Sequence, residues 1–117
     1  MDNNGSHSTW FAERQVRGIG EDGATELVSI WIERRPGAVW AVGRALDLES
    51  RADGQVREDD YLFQGYEMGD ALAAANEALR SDLEISRGDG IEQDVAEFGE
   101  DELKAPLERW FFGRAVR

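Results

Sequence analysis

The sequence has no cysteine and a single histidine among its 117 residues. Without cysteine the protein forms no disulfides, zinc–thiolate sites or iron–sulfur clusters, and it has no thiol nucleophile. The histidine, His7, lies within residues 1–8, a polar stretch that we expect to be a disordered tail because it offers nothing to bury. A histidine in such a tail has no fixed acid or base partner, so serine and cysteine triads are excluded.

Long apolar runs are missing as well. No stretch is long enough to cross a bilayer, and the N-terminus has no apolar signal-peptide core. We therefore expect a soluble cytoplasmic protein with no membrane partner. Lysine is scarce, since Lys104 is the only one, and we interpret this as codon bias in a GC-rich, bacterial genome.

Positive charge is in short supply. The sequence has 13 Lys and Arg residues and 25 Asp and Glu residues, so its formal net charge is -12. A phosphate backbone would approach against a repulsive field, so we expect no nucleic-acid partner. The carboxylates are concentrated after residue 90, a pattern typical of a solvated face.

The side chains left for catalysis are carboxylates, arginines and tyrosines. Carboxylates are so frequent that no single pair is informative. Acid–base catalysis also needs a cleft that shifts a pKa, and no spacing in the sequence indicates one. We therefore expect a non-enzymatic protein with no catalytic residue, no cofactor and no metal site.

What the sequence does contain is a β-hairpin over residues 24–46. Residues 26–34 and 38–46 both alternate in the period of a strand and are rich in β-branched and aromatic residues. Between them, Pro36 fixes φ for a first turn position and Gly37 accepts a positive φ at the second, which predicts a tight turn. In both strands, apolar residues occur at odd and at even positions, which point to opposite faces of the sheet. We therefore expect one face to be covered by another element and the other to be partly shielded.

A glycine string precedes this hairpin. Residues 18–23 have the spacing of the dinucleotide-binding fingerprint, which needs a helix directly after it, whereas a strand is predicted here. Glu21 and Asp22 would also place carboxylates where phosphates must lie. We interpret the string as a loop after a first strand over residues 9–17, with its turn at Asp22-Gly23.

A third turn is predicted at Asp53-Gly54. We expect the third strand to reach about residue 50 and the fourth to start near residue 55, so that the outer, polar part of this hairpin projects into solvent. Residues 61–66 form the apolar part of the fourth strand. Together the turns predict a four-stranded antiparallel meander.

The period then changes to that of a helix over residues 70–83. An apolar stripe should cover one face of the sheet, and it consists of Leu72, Ala75, Leu79 and Leu83. Asn76 lies at the edge of this stripe, where we expect it to bond a loop or strand carbonyl. A second, short helix is predicted to begin at Pro106, a residue that suits a first helical position.

The second helix carries more aromatic surface than one sheet face buries easily. Its apolar residues are Leu107, Trp110, Phe111 and Phe112. Either this segment is wedged between the sheet and a loop, or some of its aromatic surface is left for a partner. The predicted fold class is therefore α+β: after the tail, residues 9–117 form one domain with a four-stranded antiparallel meander, one amphipathic helix packed on a face and a short C-terminal aromatic helix.

Three functional hypotheses follow. The leading one is a protein-interaction module that self-associates as a homodimer, through a sheet edge or through Trp110, Phe111 and Phe112, because apolar surface exceeds what one helix covers. The second is a small-ligand-binding domain with an open aromatic and arginine face, lined by Trp31, Trp40, Arg44 and Tyr61. The third is an acidic decoy that imitates nucleic acid and occupies a basic protein partner.

Overall fold

The computed structural model describes residues 9–104. The elements are β1 Trp10–Ile19, β2 Thr25–Arg35, β3 Val39–Leu46, β4 Tyr61–Gly65 and α1 Met68–Gly88. The four strands form one antiparallel sheet in the order β1-β2-β3-β4, and α1 packs against it. Residues 100–104 are also helical. The predicted α+β fold with a four-stranded meander is confirmed.

Two of the three predicted turns connect paired strands through a short loop, and each uses a glycine at positive φ, a conformation that costs other residues energy. Gly23 has a φ of 83° in the loop between β1 and β2. Strand β2 begins at Thr25, so a strand follows the glycine string, and its interpretation as a loop is confirmed. Gly37 also has a φ of 83°, and Ala38 follows it at 63° before β3 begins.

The larger core lies between the sheet and α1. Successive side chains of a strand point to opposite faces, so every second side chain of β2 and β3 points towards this core. Its most buried members are Val16, Val28, Ile30, Ile32, Trp40, Val42, Ala71, Ala75, Leu79, Phe98 and Leu103. Burying each large side chain stabilises the fold by roughly 1.5–3 kcal/mol relative to leaving it exposed. We call this side of the sheet the helix face and the other side the second face.

Helix α1 extends beyond both predicted ends, from Met68 to Gly88. Its C-terminal half buries two polar residues, Asp82 within the predicted range and Ser86 beyond it. Asp82 accepts hydrogen bonds of 2.8 Å from Nε and Nη2 of Arg44 on β3. Ser86 donates a 2.6 Å hydrogen bond to the carbonyl of Arg17 on β1. Polar side chains at buried helical positions interrupt the apolar period from which the helix was predicted.

Beyond α1, residues 91–104 run back beside β1. The side chain of Arg14 holds this segment in place: Nε donates to the carbonyl of Ala96 at 2.8 Å, and Nη2 pairs with Oε1 of Glu102 at 2.7 Å. The Arg14 guanidinium favours the charged carboxylate and holds the pKa of Glu102 below its usual range. The segment is thus fastened to the sheet by a side chain of β1.

Asn76 on α1 makes the second fastening. Its side-chain amide donates to the carbonyl of Phe98 at 3.1 Å and accepts from the amide of Phe98 at 2.7 Å. The expectation that Asn76 bonds a backbone carbonyl outside the helix is confirmed. The two bonds satisfy the polar groups of Phe98 while its ring, together with Leu103, enters the helix-face core.

The connection from β3 to β4 differs from the prediction. β3 ends at Leu46, because Asp47 adopts a left-handed φ of 45° and its carboxylate accepts a 2.8 Å hydrogen bond from the amide of Leu27. Two short 3₁₀ helices, Leu48–Ser50 and Glu58–Asp60, then fold the chain back. The expected long hairpin projecting into solvent is therefore wrong.

Residues 47–60 instead cover part of the second face. Leu48 is buried there, and Val56 packs against the same cluster. The loop is closed by Arg51, whose two terminal nitrogens bond the carboxylate of Asp60 at 2.7 and 2.9 Å. This pairing lowers the pKa of Asp60 below its usual range. A bidentate arginine–carboxylate pair has the geometry needed to hold an irregular loop in one conformation.

Two expectations lie outside the described residues. They are the disordered tail over residues 1–8 and the aromatic helix beginning at Pro106. No helix within residues 9–104 is both long and apolar enough to span a membrane.

Candidate functional site

The second face has its own aromatic cluster, centred on Trp31 of β2. The indole of Trp31 is 0% exposed. Trp10 of β1 stacks on it, with ring centroids 4.3 Å apart and an interplanar angle of 8°. Beneath the ring lies Gly43 of β3, directly opposite Trp31 in the strand register. A Cβ at Gly43 would lie closer than 3.0 Å to the indole, so glycine is required for the two strands to pair.

A carboxylate is buried beside this cluster. Glu33 is 6% exposed, and its Oε1 accepts hydrogen bonds from Nε1 of Trp31 at 2.7 Å and from the hydroxyl of Tyr61 at 2.8 Å. The hydroxyl of Thr9 donates to its other oxygen at 3.4 Å. These donors replace water around a group that would be costly to bury alone. The carboxylate thus links β2, β4 and Thr9, the residue that precedes β1, across the second face.

Tyr61 is held from two sides. Burial raises the pKa of its hydroxyl well above the usual range, and donation to the Glu33 carboxylate raises it further. The guanidinium of Arg35 lies 4.5 Å from the ring centroid and also bonds Gln64 and Glu58, each at 2.8 Å. These contacts raise the pKa of the Arg35 guanidinium, chiefly through its hydrogen bond to Glu58. Tyr61 is therefore a structural proton donor at neutral pH.

The retained Tyr61 proton makes stability depend on pH at the alkaline end. Tyrosine in the unfolded chain ionises near pH 10, whereas folding requires Tyr61 to stay protonated, so the free energy of unfolding should fall as pH rises above about 10. Urea unfolding at pH 9, 10 and 11 measures this slope. Tyr61→Phe should flatten it, whereas Tyr66→Phe, which alters an exposed ring and none of these contacts, should keep the wild-type slope. Equal slopes in all three proteins would contradict the assignment.

The structure divides the four residues of the predicted ligand pocket between the two faces. Trp31 and Tyr61 lie on the second face in an edge-to-face contact, with 6.2 Å between ring centroids. Trp40 is buried in the helix-face core. Arg44 also lies on the helix face, where it is bonded to Asp82. The four side chains therefore do not line a common pocket.

The surface formed by residues 9–104 includes two depressions that are open to solvent. One is lined by Leu83, Arg87, Ile91, Glu92 and Gln93, and the other by Trp10, Phe11, Ala12 and Glu13. Neither contains any of the four residues of the predicted ligand pocket. Over residues 9–104, no group of three acidic or histidine side chains converges in a way that would hold a metal ion.

The two edges of the sheet differ sharply. At the β1 edge, side chains satisfy the outward backbone of Arg17: its amide donates to Gln93 at 2.9 Å, and its carbonyl accepts from Gln93 at 2.9 Å and from Ser86. Such coverage is one of the ways in which proteins prevent an edge strand from pairing with another chain.

The opposite edge is formed by β4. Within residues 9–104, no loop backbone or side chain hydrogen-bonds to the β4 backbone outside its ladder with β3. The strand contains no charged residue and no proline, both of which commonly protect edges. Leu62 is 54% exposed, and Tyr66, directly after the strand, is 75% exposed. We call Leu62, Tyr66 and the outer backbone of β4 the β4 edge.

The predicted interaction residues Trp110, Phe111 and Phe112 lie outside the described residues. Sequence reasoning missed Glu33 as the polar centre of the second face. Its position two residues after Trp31 was the available signal, because residues two apart in a strand share a face. Which of the four strands would be left uncovered was not indicated by any local pattern.

The elements and the two faces define a small α+β protein with an open antiparallel sheet and one free edge among the described residues. Comparison of the chain with family models, with curated proteins and with solved structures found no match. Its function must therefore be inferred from the geometry of residues 9–104.

Proposed function

We propose that this protein is a non-enzymatic interaction module that self-associates, with the β4 edge as part of the contact. The observation that carries the proposal is the difference between the two sheet edges. The side chains of Ser86 on α1 and of Gln93 bond the β1 backbone at Arg17, and the side chain of Arg14 on β1 bonds the carbonyl of Ala96. The described part of the chain provides no such cover for β4, whose neighbouring residues Leu62 and Tyr66 are exposed.

The chemistry of β4 supports this proposal. An uncovered strand offers backbone donors and acceptors in a row, and a second chain satisfies them by adding a strand or by packing a segment along the edge. Aromatic side chains such as Tyr66 are enriched in protein interfaces. The second face is less suited to binding a partner. Trp31 is fully buried there, and the carboxylate of its neighbour Glu33 already accepts hydrogen bonds from Trp31 and Tyr61.

Leu62→Arg tests the proposal. Burying a leucine is worth roughly 1.5–3 kcal/mol, and an arginine at the edge adds the cost of a desolvated charge, so we expect the dimer dissociation constant to rise at least about 30-fold. Light scattering coupled to gel filtration, from 5 to 200 µM as an order-of-magnitude range around typical homodimer affinities, measures it. The wild-type mass should approach twice 13.1 kDa at the upper concentration.

Ile85→Arg is the matched control. Ile85 lies on α1 and is 61% exposed, so the variant makes the same chemical change on an apolar surface away from β4. It should dimerise like the wild type. A wild-type protein that stays monomeric over the whole range, or an Ile85→Arg variant that dissociates as much as Leu62→Arg, would contradict the proposal.

The other two hypotheses stay predictions. A ligand site would have to use residues other than Trp31, Trp40, Arg44 and Tyr61 together, because they lie on opposite faces. The acidic-decoy hypothesis draws on the charge excess and predicts binding to a basic partner that weakens steeply with salt.

A further inference from the structure

The β4 edge alone is too small for a stable dimer. β4 has five residues, so pairing with a second β4 would extend over about 17 Å. Specific interfaces bury about 1,200–2,000 Å² in total. Leu62 and Tyr66, already partly covered in the monomer, do not reach that range with a short backbone ladder. If the proposed self-association occurs, further apolar surface must contribute to it.

The sequence of residues 105–117 contains apolar side chains that would supply it. This segment contains Trp110, Phe111 and Phe112, and aromatic side chains bury about 150–250 Å² each. Three rings on each of two chains would therefore add about 900–1,500 Å². Together with the β4 edge, this brings the buried area into the range of a stable dimer.

Charge distinguishes the same segment from the rest of the protein. Three of the 13 basic residues, Arg109, Arg114 and Arg117, lie in residues 105–117 beside a single acid, Glu108. Residues 9–104 hold the other 10 basic residues and 23 of the 25 acidic ones, since Asp2 lies in residues 1–8. The segment is thus positive and aromatic, while the rest of the protein is strongly negative.

The surroundings of the β4 edge carry part of that negative charge. Asp59 precedes β4 and Glu67 follows it, and both are exposed. Neither forms an ion pair with another of the described residues. An edge with exposed apolar side chains between two carboxylates is complementary to a segment whose aromatic residues lie between arginines.

We propose that the β4 edge of one copy is occupied by residues 105–117 of a second copy, and that two such contacts form a reciprocal dimer. This inference rests on the proposed self-association and names the segment responsible for it. The aromatic side chains pack on Leu62 and Tyr66, and the arginines lie beside the carboxylates that flank β4. Reciprocal exchange closes the assembly at two copies, whereas one-way exchange would continue as a filament.

The position of the last described residues favours binding of residues 105–117 to the β4 edge of a second copy over binding to the β4 edge of the same chain. Glu102 is bonded to Arg14, so the described chain ends on the β1 side of the sheet, three strand spacings or about 14 Å from β4. A path from there to its own β4 on the helix face crosses the solvent side of α1, which carries Glu77, Ser81 and Glu84. The one large exposed apolar side chain of α1 is Ile85, so that surface offers little apolar contact for the rings. A second copy reaches the edge directly from solvent.

Disulfide trapping tests this arrangement, because the natural chain has no cysteine to interfere. Leu62→Cys and Phe112→Cys are made separately in the full chain, mixed in equal amounts and oxidised. A disulfide forms where Cα atoms approach within about 7 Å, so we expect a mixed-variant dimer on a non-reducing gel. Mass spectrometry of its peptides identifies the linkage. Ala73→Cys, on the exposed side of α1, replaces Leu62→Cys in the control mixture and should give at least tenfold less mixed dimer.

Each other outcome is decisive. Leu62→Cys chains that link only to one another would show pairing of two β4 strands, which overturns this inference and leaves the proposed self-association standing. A chain carrying both cysteines that closes on itself, with no link between chains, places the segment on its own β4 and overturns the inference. If no mixture links although wild-type scattering gives a dimer, this inference fails and the proposed self-association stands. If no mixture links and wild-type scattering gives a monomer, both proposals fail. Variants that lose the wild-type far-ultraviolet spectrum are replaced by Tyr66→Cys and Phe111→Cys, read in the same way.

Discussion

Gly43→Ala is expected to lower the free energy of unfolding by about 3 kcal/mol. A single added methyl group has this effect because its carbon would lie closer than 3.0 Å to three atoms of the Trp31 indole. For a domain whose total stability is of the order of 5–15 kcal/mol, such a loss is a large fraction. Urea denaturation followed by tryptophan fluorescence measures the change.

The indole cannot relieve this clash by moving. Its Nε1 is bonded to Glu33, its outer surface is covered by the parallel ring of Trp10, and Tyr61 meets it edge-on. Either these contacts break or β2 and β3 separate locally. Both responses cost more than the methyl group gains by burial.

Gly69→Ala is the control for the loss of a glycine. Gly69 lies in the first turn of α1 with open space around its Cβ position, so alanine should leave stability unchanged or raise it by up to about 1 kcal/mol. In a Trp31→Ala background, Gly43→Ala should cost less than half of its wild-type effect, because the ring it meets is gone. An undiminished cost in that background would show that the strain has another origin.

Trp31→Ala should be still more destabilising, by about 4 kcal/mol. The variant removes a fully buried indole, leaves a cavity between β1 and β3, and deprives the Glu33 carboxylate of one of its donors. Chemical denaturation with circular dichroism detection measures the loss independently of the missing fluorophore.

Trp31→Phe separates packing from hydrogen bonding. Phenylalanine keeps most of the stack on Trp10 but has no N–H for Glu33, so the loss should be intermediate, at about 2 kcal/mol. If Trp31→Phe were as harmful as Trp31→Ala, the bond to Glu33 rather than the packing would dominate. Wild-type stability in both variants would contradict the view that the second face is a core.

Some of this organisation was readable from local pattern. The alternation in β2 and β3, with Pro36-Gly37 between them, predicted the central hairpin, because strand period and turn conformation depend on neighbours in sequence. The same kind of signal predicted the middle of α1. It did not reach Ser86, and it gave no sign that Asp82 is buried, because these positions depend on the carbonyl of Arg17 and on Arg44, both far away in the chain.

The predicted ligand pocket shows the same limit. Trp31 and Trp40 are both aromatic residues of predicted strands, and the sequence analysis assigned them to one ligand pocket. Their opposite faces follow from strand register, which pairs Trp31 with Gly43 and Trp40 with Arg34. The polar centre at Glu33 likewise required Tyr61, 28 positions away, to arrive at the same face.

The sequence by itself determined the number of strands, the turns at Asp22-Gly23 and Pro36-Gly37 and the absence of cysteine, because composition, period and backbone preference are local properties. The tertiary structure alone decided that residues 47–60 fold onto the second face, that Glu33 is buried among its donors, and that β1 is covered while β4 is not. Those features come from contacts between residues distant in the chain, and each becomes favourable only when the fold brings both partners together.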